Sequence, residues 1–245
     1  MLRLRQVALV ARELEPVVAQ LQEQLGLEVA HRDPAVAVFG LHNAVMPVGN
    51  QFLEVVAPTR EGTAAGRYLD RRGGDGGYMV ILQCDRHADH KRRIAQLGIR
   101  TALEQDSETY HLLQLHPADT GGSFLEIDEQ IGGEDLDGPW EPAGDAWRAA
   151  LRTEVVSGIA AAEIESPEPE RLAQRWSEIL DVPVDEAPDD DSGVRSRLQL
   201  DNAALLFVEA VDGRGEGLGA IDVIASEPSN DVLLIGGIHI RFVPA

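Results

Sequence analysis

The sequence predicts an α+β fold built from tandem βαβββ modules, and three observations carry that prediction. Landmarks recur at a constant shift of 72 residues: "QVALVARE" (6–13) falls on "YMVILQCD" (78–85), and the "QLG" of 24–26 on the "QLG" of 96–98. At the same shift "QFLEVVA" (51–57) falls on "SFLEIDE" (123–129), which puts Glu54 and Glu126 at equivalent places, each 48 residues after the start of its first strand. Within each copy the hydrophobic period changes from that of a strand to that of a helix and back to strands. Self-similarity at a fixed period organises a fold before any local feature does.

The first copy opens on the strand at 6–13. A helix is predicted over 14–25, with Val17, Val18, Leu21 and Leu25 on one face and Gly26 as its C-terminal stop. Strands are expected at 35–40, 43–48 and 51–57. The second copy repeats the order: strand 78–85, a helix over 86–97 that buries Ile94 and Leu97 and exposes "DHKRR", then strands at 100–104, 110–116 and 123–128. A weaker third copy lies at a shift of 155. Its helix over 168–180 has Pro167 near the start and turns Leu172, Trp176, Ile179 and Leu180 inward. Leu180 and Asp181 fall on Leu25 and Gly26, Glu209 falls on Glu54, and Ala161 stands where Gln6 does. "LGAIDVIA" then reads as a strand and "DVLLIGGIHIRFV" as two strands about a Gly-Gly turn, a truncated fourth copy without a helix.

Polar stretches at 57–77 and 128–150 separate the copies. The expected organisation is a first domain of residues 1–130 with modules 1–60 and 75–130, a linker over 131–150, and a second half over 151–245 made of one module and a degenerate one. Inside the first stretch, "GGDGG" (73–77) precedes a strand and lacks the Lys-Ser/Thr of a phosphate loop, so it reads as a connector. Arg67, Arg71 and Arg72 read either as a solvated helix face or as a basic cluster that offsets the acidic surface for an anionic ligand, and His87 and His90 as a solvated helix start.

Forty-two acidic against 21 basic residues give a net charge of −21. That surface repels phosphate backbones and anionic lipid, which argues against nucleic-acid and membrane partners. No apolar run approaches the ~18 residues of a membrane span, and the N-terminal stretch lacks a signal-cleavage pattern. The lone cysteine, Cys84, fits a small buried apolar residue in a reducing compartment, and a cytoplasmic location is expected. A carboxylate inside a buried strand is costly unless something pairs with it or binds it. Glu54 and Glu126 are therefore the leading candidates for function.

Tandem βαβββ units with a carboxylate on the fourth strand resemble the vicinal oxygen chelate superfamily, which includes glyoxalase I, methylmalonyl-CoA epimerase, extradiol dioxygenases and bleomycin-resistance proteins. "GLHNAVMPVGNQFLEVVAP" (40–58) is similar to its glyoxalase-like branch, and "LHPADTGGSFLEID" (115–128) resembles the end of an epimerase-type module. The resemblance implies paired curved mixed sheets with flanking helices, and a concave small-molecule cavity between modules 1 and 2. It also implies a divalent metal (Zn, Ni, Mg or Mn) held by residues of the first and last strand of each module. By position these are Gln6, Glu54, Tyr78 and Glu126. Gln6, Glu54 and Glu126 make an oxygen-rich set, whereas Tyr78 stands where the family has His, and a phenol of pKa ~10 is a poor ligand.

Two functions follow, and both stay open from sequence. One is a metal-assisted lyase or isomerase in which Glu126 or Glu54 takes a proton next to a carbonyl. The other is a non-catalytic protein that binds or sequesters a small molecule and holds no metal. His42, Asn43, Tyr78 and His116 are the expected ligand contacts. The plainer alternatives are a hydrogen-bonded turn for His42 and Asn43 and a hairpin cap for His116. The partner is a small-molecule ligand, and the chain is a monomer or a homodimer.

Overall fold

A computed structural model describes residues 1–186 and 193–245. The first module is β1 (Leu2–Val10), α1 (Leu14–Leu25), β2 (Leu41–Val48) and β3 (Gln51–Pro58), followed by α2 (Ala64–Arg72). The second is β4 (Gly76–Cys84), α3 (His87–Gln96), β5 (Thr101–Asp106), β6 (Tyr110–Leu115), a short α4 (Pro117–Thr120) and β7 (Phe124–Gln130). The third is β8 (Val156–Ser166), α5 (Pro169–Leu180), β9 (Val184–Glu186), β10 (Val194–Gln199) and β11 (Ala204–Glu209). The truncated fourth is β12 (Gly217–Ala225), β13 (Val232–Ile235) and β14 (Ile238–Val243).

The strands form two mixed seven-stranded sheets, in the orders β2-β3-β1-β4-β7-β6-β5 and β13-β14-β12-β8-β11-β10-β9. In every module the first and last strands run parallel: β1 with β3, β4 with β7, β8 with β11 and β12 with β14. The α+β class of the sequence reading is therefore the observed one. Among the described residues no helix is long and apolar enough to cross a membrane.

Backbone contacts divide the chain into two compact units. The first comprises Met1–Arg5, Met79–Pro139 and Ala161–Leu218. In it α5 buries Leu172, Ala173, Trp176, Ile179 and Leu180, and Trp176 meets Phe207 edge-on at 5.6 Å between ring centroids. The second comprises Gln6–Tyr78, Trp140–Ala160 and Gly219–Ala245. In it α1 buries Leu14, Val17, Val18, Leu21 and Leu25. Each such side chain contributes about 1.5–3 kcal/mol of transfer free energy. Gly26 ends α1 at φ 68°, and Asp181 ends α5 in the same left-handed conformation at φ 60°. The match of Asp181 with Gly26 in the repeat is thus a shared helix stop, at a position that a short polar side chain tolerates better than most.

Four expectations need correction. The stretch 35–40 is a 3-10 turn (Pro34–Phe39), not a strand. The Asp33 carboxylate accepts from the Ala35 N–H, Pro34 has no N–H to give a ladder, and Gly40 closes the turn at φ 71°. The helix face read at Arg67, Arg71 and Arg72 is that of α2, capped by Thr63, but Arg72 is buried whereas Arg67 and Arg71 are exposed. His87 is buried and stacks on His111 at 5.5 Å, and His90 is half-buried, so these two rings are not solvated although Arg86, Ala88 and Asp89 beside them are exposed. Lastly, Glu209 does not match Glu54. The register of β11 on β8 sets Leu206 opposite Glu163, as Glu54 is set opposite Ala8, and leaves Glu209 exposed at the strand end.

Candidate functional site

Two buried polar centres stand out, one in each unit. In the second unit, β1 and β2 flank β3 and bring Gln6 and Asn43 to either side of Glu54. The Gln6 amide donates to Glu54 Oε2 at 2.8 Å and the Asn43 amide to Oε1 at 2.6 Å. Asn43 Oδ1 accepts from the Asp33 N–H at 2.8 Å, and Gln6 Oε1 accepts from the Trp140 indole at 2.8 Å. The result is a closed chain of hydrogen bonds in which Glu54 is only 7% exposed and Trp140 only 1%. Burial raises the Glu54 pKa, and the Asn43 and Gln6 amides oppose that rise by favouring the charged form.

Trp140 comes from the stretch read as a polar linker. Short 3-10 turns at Glu141–Ala143 and Trp147–Ala150 shape it, and Trp147 packs edge-on against Phe52 at 5.1 Å. The signal missed in the sequence was the pair of tryptophans in "GPWEPAGDAW", because Gly, Pro and acid dominate the composition there. Upstream, in the first unit, the same stretch is held by two buried arginines of β1. Arg3 donates to the carbonyls of Gly133 (2.7 Å) and Asp135 (3.0 Å), and Arg5 to those of Leu136 (2.7 Å) and Gly138 (3.1 Å). A Cβ on Gly133 would lie 2.8 Å from the Gln83 amide nitrogen, so a side chain there would have to push aside the amide that donates to the Gly133 carbonyl.

The first unit's centre lies on β7. Glu126 and Asp128 follow each other on one face of the strand, 5% and 0% exposed. The Glu126 side chain acts on its neighbour and favours the charged form of Asp128. Tyr110 donates its hydroxyl to Asp128 Oδ2 at 2.5 Å, and the Leu113 N–H donates to Oδ1 at 3.2 Å. Burial pushes Asp128 up to about 6, against the lowering effect of Glu126, Tyr110 and Leu113. Asp128 and Tyr110 were not singled out from sequence. The period-2 spacing of "EID" was the available signal for Asp128, whereas Tyr110 is brought in by the pairing of β6 with β7.

The other expected residues are placed as follows. Tyr78 is buried and meets Tyr68 edge-on at 5.1 Å, and burial, with Tyr68 adding to it, pushes its pKa up to about 12. It is a phenol rather than a phenolate at any physiological pH. His42 is exposed, and as the neighbour of Asn43 on a strand it points to the opposite face. His116 is the N-cap of α4, its Nδ1 accepting from the Ala118 N–H at 3.2 Å.

As arranged, Gln6 and Glu54 do not fit a metal ion. The amide oxygen that would ligate accepts from Trp140, and each Glu54 oxygen accepts from an amide N–H. Among the described residues no group of three or more His, Cys, Asp and Glu side chains is placed to hold a metal.

The sequence profile of the glyoxalase-like domain matches residues 7–180. Comparison with curated proteins gives no match. Among solved structures, a hypothetical protein from Staphylococcus aureus aligns over 100% of both chains with a TM-score of 0.71 at 12% identity, a likeness of fold. Methylmalonyl-CoA epimerase from Mycobacterium tuberculosis aligns with 52% of this chain and 87% of its own, at 21% identity and a TM-score of 0.46. The Streptomyces coelicolor epimerase in complex with 2-nitronate-propionyl-CoA aligns with 52% of this chain and 96% of its own, at 22% identity and a TM-score of 0.46.

Proposed function

The chain belongs to the glyoxalase-like domain family, within the vicinal oxygen chelate superfamily, and from that membership we propose that it binds a small molecule through hydrogen-bonding groups rather than through a metal ion. Members of this superfamily often use a divalent metal. What supports a metal-free reading here is the closed chain from Trp140 through Gln6 and Glu54 to Asn43. A ligand with its own N–H or O–H takes the place of the Trp140 indole on Gln6 by exchanging one hydrogen bond. A metal ion would have to displace three. The reading therefore makes the chain a binding or sequestering protein, with Gln6, Asn43 and Glu54 holding the polar end of its ligand.

Elemental analysis of protein purified without a tag or chelator, run beside a thermal-shift screen of aromatic and lipophilic compounds, tests the proposal. The expected result is no stoichiometric metal and at least one compound that raises the melting temperature with concentration. A divalent ion at one per chain, lost in Gln6→Ala and Glu54→Ala, would replace this reading with the metal-assisted one. The burial of Glu126 and Asp128 on one face of β7 favours a second reading, proton transfer next to a carbonyl with Glu126 as base. Its signature is exchange of solvent deuterium into a carbonyl compound, abolished by Glu126→Gln.

A further inference from the structure

We propose that a cleft on the first unit, beside α3, is a binding site for the oxyanion group of a small molecule, a phosphate or a carboxylate, with Arg86 and His90 as its principal contacts. The cleft encloses about 520 Å³ and lies where α3 approaches the end of α5. That volume lies within the range of ordinary small-molecule sites. It takes in most of "RHADHKRR" (86–93), which sets Arg86, Lys91, Arg92 and Arg93 within eight residues of a chain whose net charge is −21. The polar centres described above make no use of this motif.

The charged groups around the cleft are not equally committed. Asp89 is taken by Arg92 at 2.6 Å, and Asp181 by Arg93. Asp201 accepts from the Leu2 N–H at 2.9 Å. Three of the carboxylates that could repel an anion are thus held by donors of the protein itself. Arg86 is not so held. Its nearest carboxylates, on Asp85 and Asp89, stand at 3.9 Å, too far for a hydrogen bond. His90 also lines the cleft, and its Nδ1 is buried with no hydrogen-bond partner among the described residues. A buried ring nitrogen left in this state costs free energy, which turning the ring toward an oxyanion in the cleft would recover. Burial, with Arg93 and Arg86 adding to it, lowers the His90 pKa, so the ring is a neutral hydrogen-bonding group at physiological pH. A guanidinium with unspent donors beside a neutral imidazole suits one oxyanion, and the fork of the guanidinium suits planar or tetrahedral oxygens alike.

The inference is independent of the metal-free binding proposed above and can fail without it. The full chain is titrated with inorganic phosphate and, separately, with acetate, while the imidazole resonances of His90 and the side-chain Nε–H of Arg86 are followed by NMR. Saturable shifts of both residues are expected, and the tighter of the two probes identifies the oxyanion. Arg86→Ala weakens binding at least tenfold, and His90→Phe weakens it severalfold. Arg86 is exposed, so its replacement leaves the melting temperature unchanged, and Arg60→Ala, in the other unit, leaves the affinity unchanged. Shifts that grow linearly without saturation for both probes, or an Arg86→Ala variant that binds as tightly as the parent, would overturn the proposal.

Discussion

Glu54 and Glu126 hold the same place in two copies of one module, yet they live in different chemistry. Glu54 is surrounded by donors that leave its charge possible: two amide N–H groups, one of them on Gln6, whose oxygen is fixed by an indole. Glu126 shares a buried strand face with a second carboxyl, Asp128, which burial pushes up to about 6 and to which Tyr110 donates. Duplication kept the carboxylate on the last strand and changed what meets it. The same residue in the same register therefore gives a carboxyl held by two amides in one unit and a pair of neighbouring acids in the other.

The comparison breaks most easily at Trp140. Replacing it by Ala empties a fully buried ring and strips the acceptor on Gln6 of its donor, at a cost of about 3–5 kcal/mol. Urea denaturation reads that loss, and an unchanged midpoint would mean that the indole does not close the network.

The next test separates the two centres by pH. Asp128 holds its proton more tightly in the folded chain than in the unfolded one, because its folded pKa is about 6 against an ordinary value near 4. Its contribution to stability is then full below about pH 4 and is lost as pH rises through about 6, on the order of 2–3 kcal/mol. Glu54 shifts in the same direction, through burial, with the Asn43 and Gln6 amides opposing the rise. Asp128→Asn should flatten the decline between pH 4 and 7 and exceed the parent in stability at pH 7. Thermal melts across that range decide it, and a slope identical to the parent's would refute the acid-pair account.

A smaller effect is expected from Tyr110→Phe, which removes one hydrogen bond to Asp128 and should cost about 1–2 kcal/mol by the same melts. The smallest is Tyr78→His. This change supplies the family's imidazole, yet it leaves Gln6 and Glu54 engaged with their present partners. Elemental analysis should find no stoichiometric metal in the variant. One ion per chain would show that Tyr78 alone had kept the metal out.

Much of this was legible in the sequence. The shift of 72 gave the module order, the helices α1, α3 and α5, and the burial of Glu54 and Glu126, because hydrophobic period and repeat register are local properties. The third copy misled where register depends on a partner. Counting placed Glu209 on Glu54, but the pairing of β11 with β8 gives that place to Leu206. The stretch 35–40 misled for a local reason, since alternation of Ala and Val hid the Asp-Pro start of a 3-10 turn.

The sequence by itself determined the α+β class, the family and the two strand carboxylates. The class and the carboxylates follow from hydrophobic period and repeat register, and the family from the resemblance of residues 40–58 and 115–128 to known modules. The tertiary structure decided what the carboxylates meet. Trp140 reaches Gln6 across 134 residues of chain, and Tyr110 reaches Asp128 from the neighbouring strand. Such partners are fixed by packing and strand pairing, which bring together groups whose distance along the chain carries no trace of their contact.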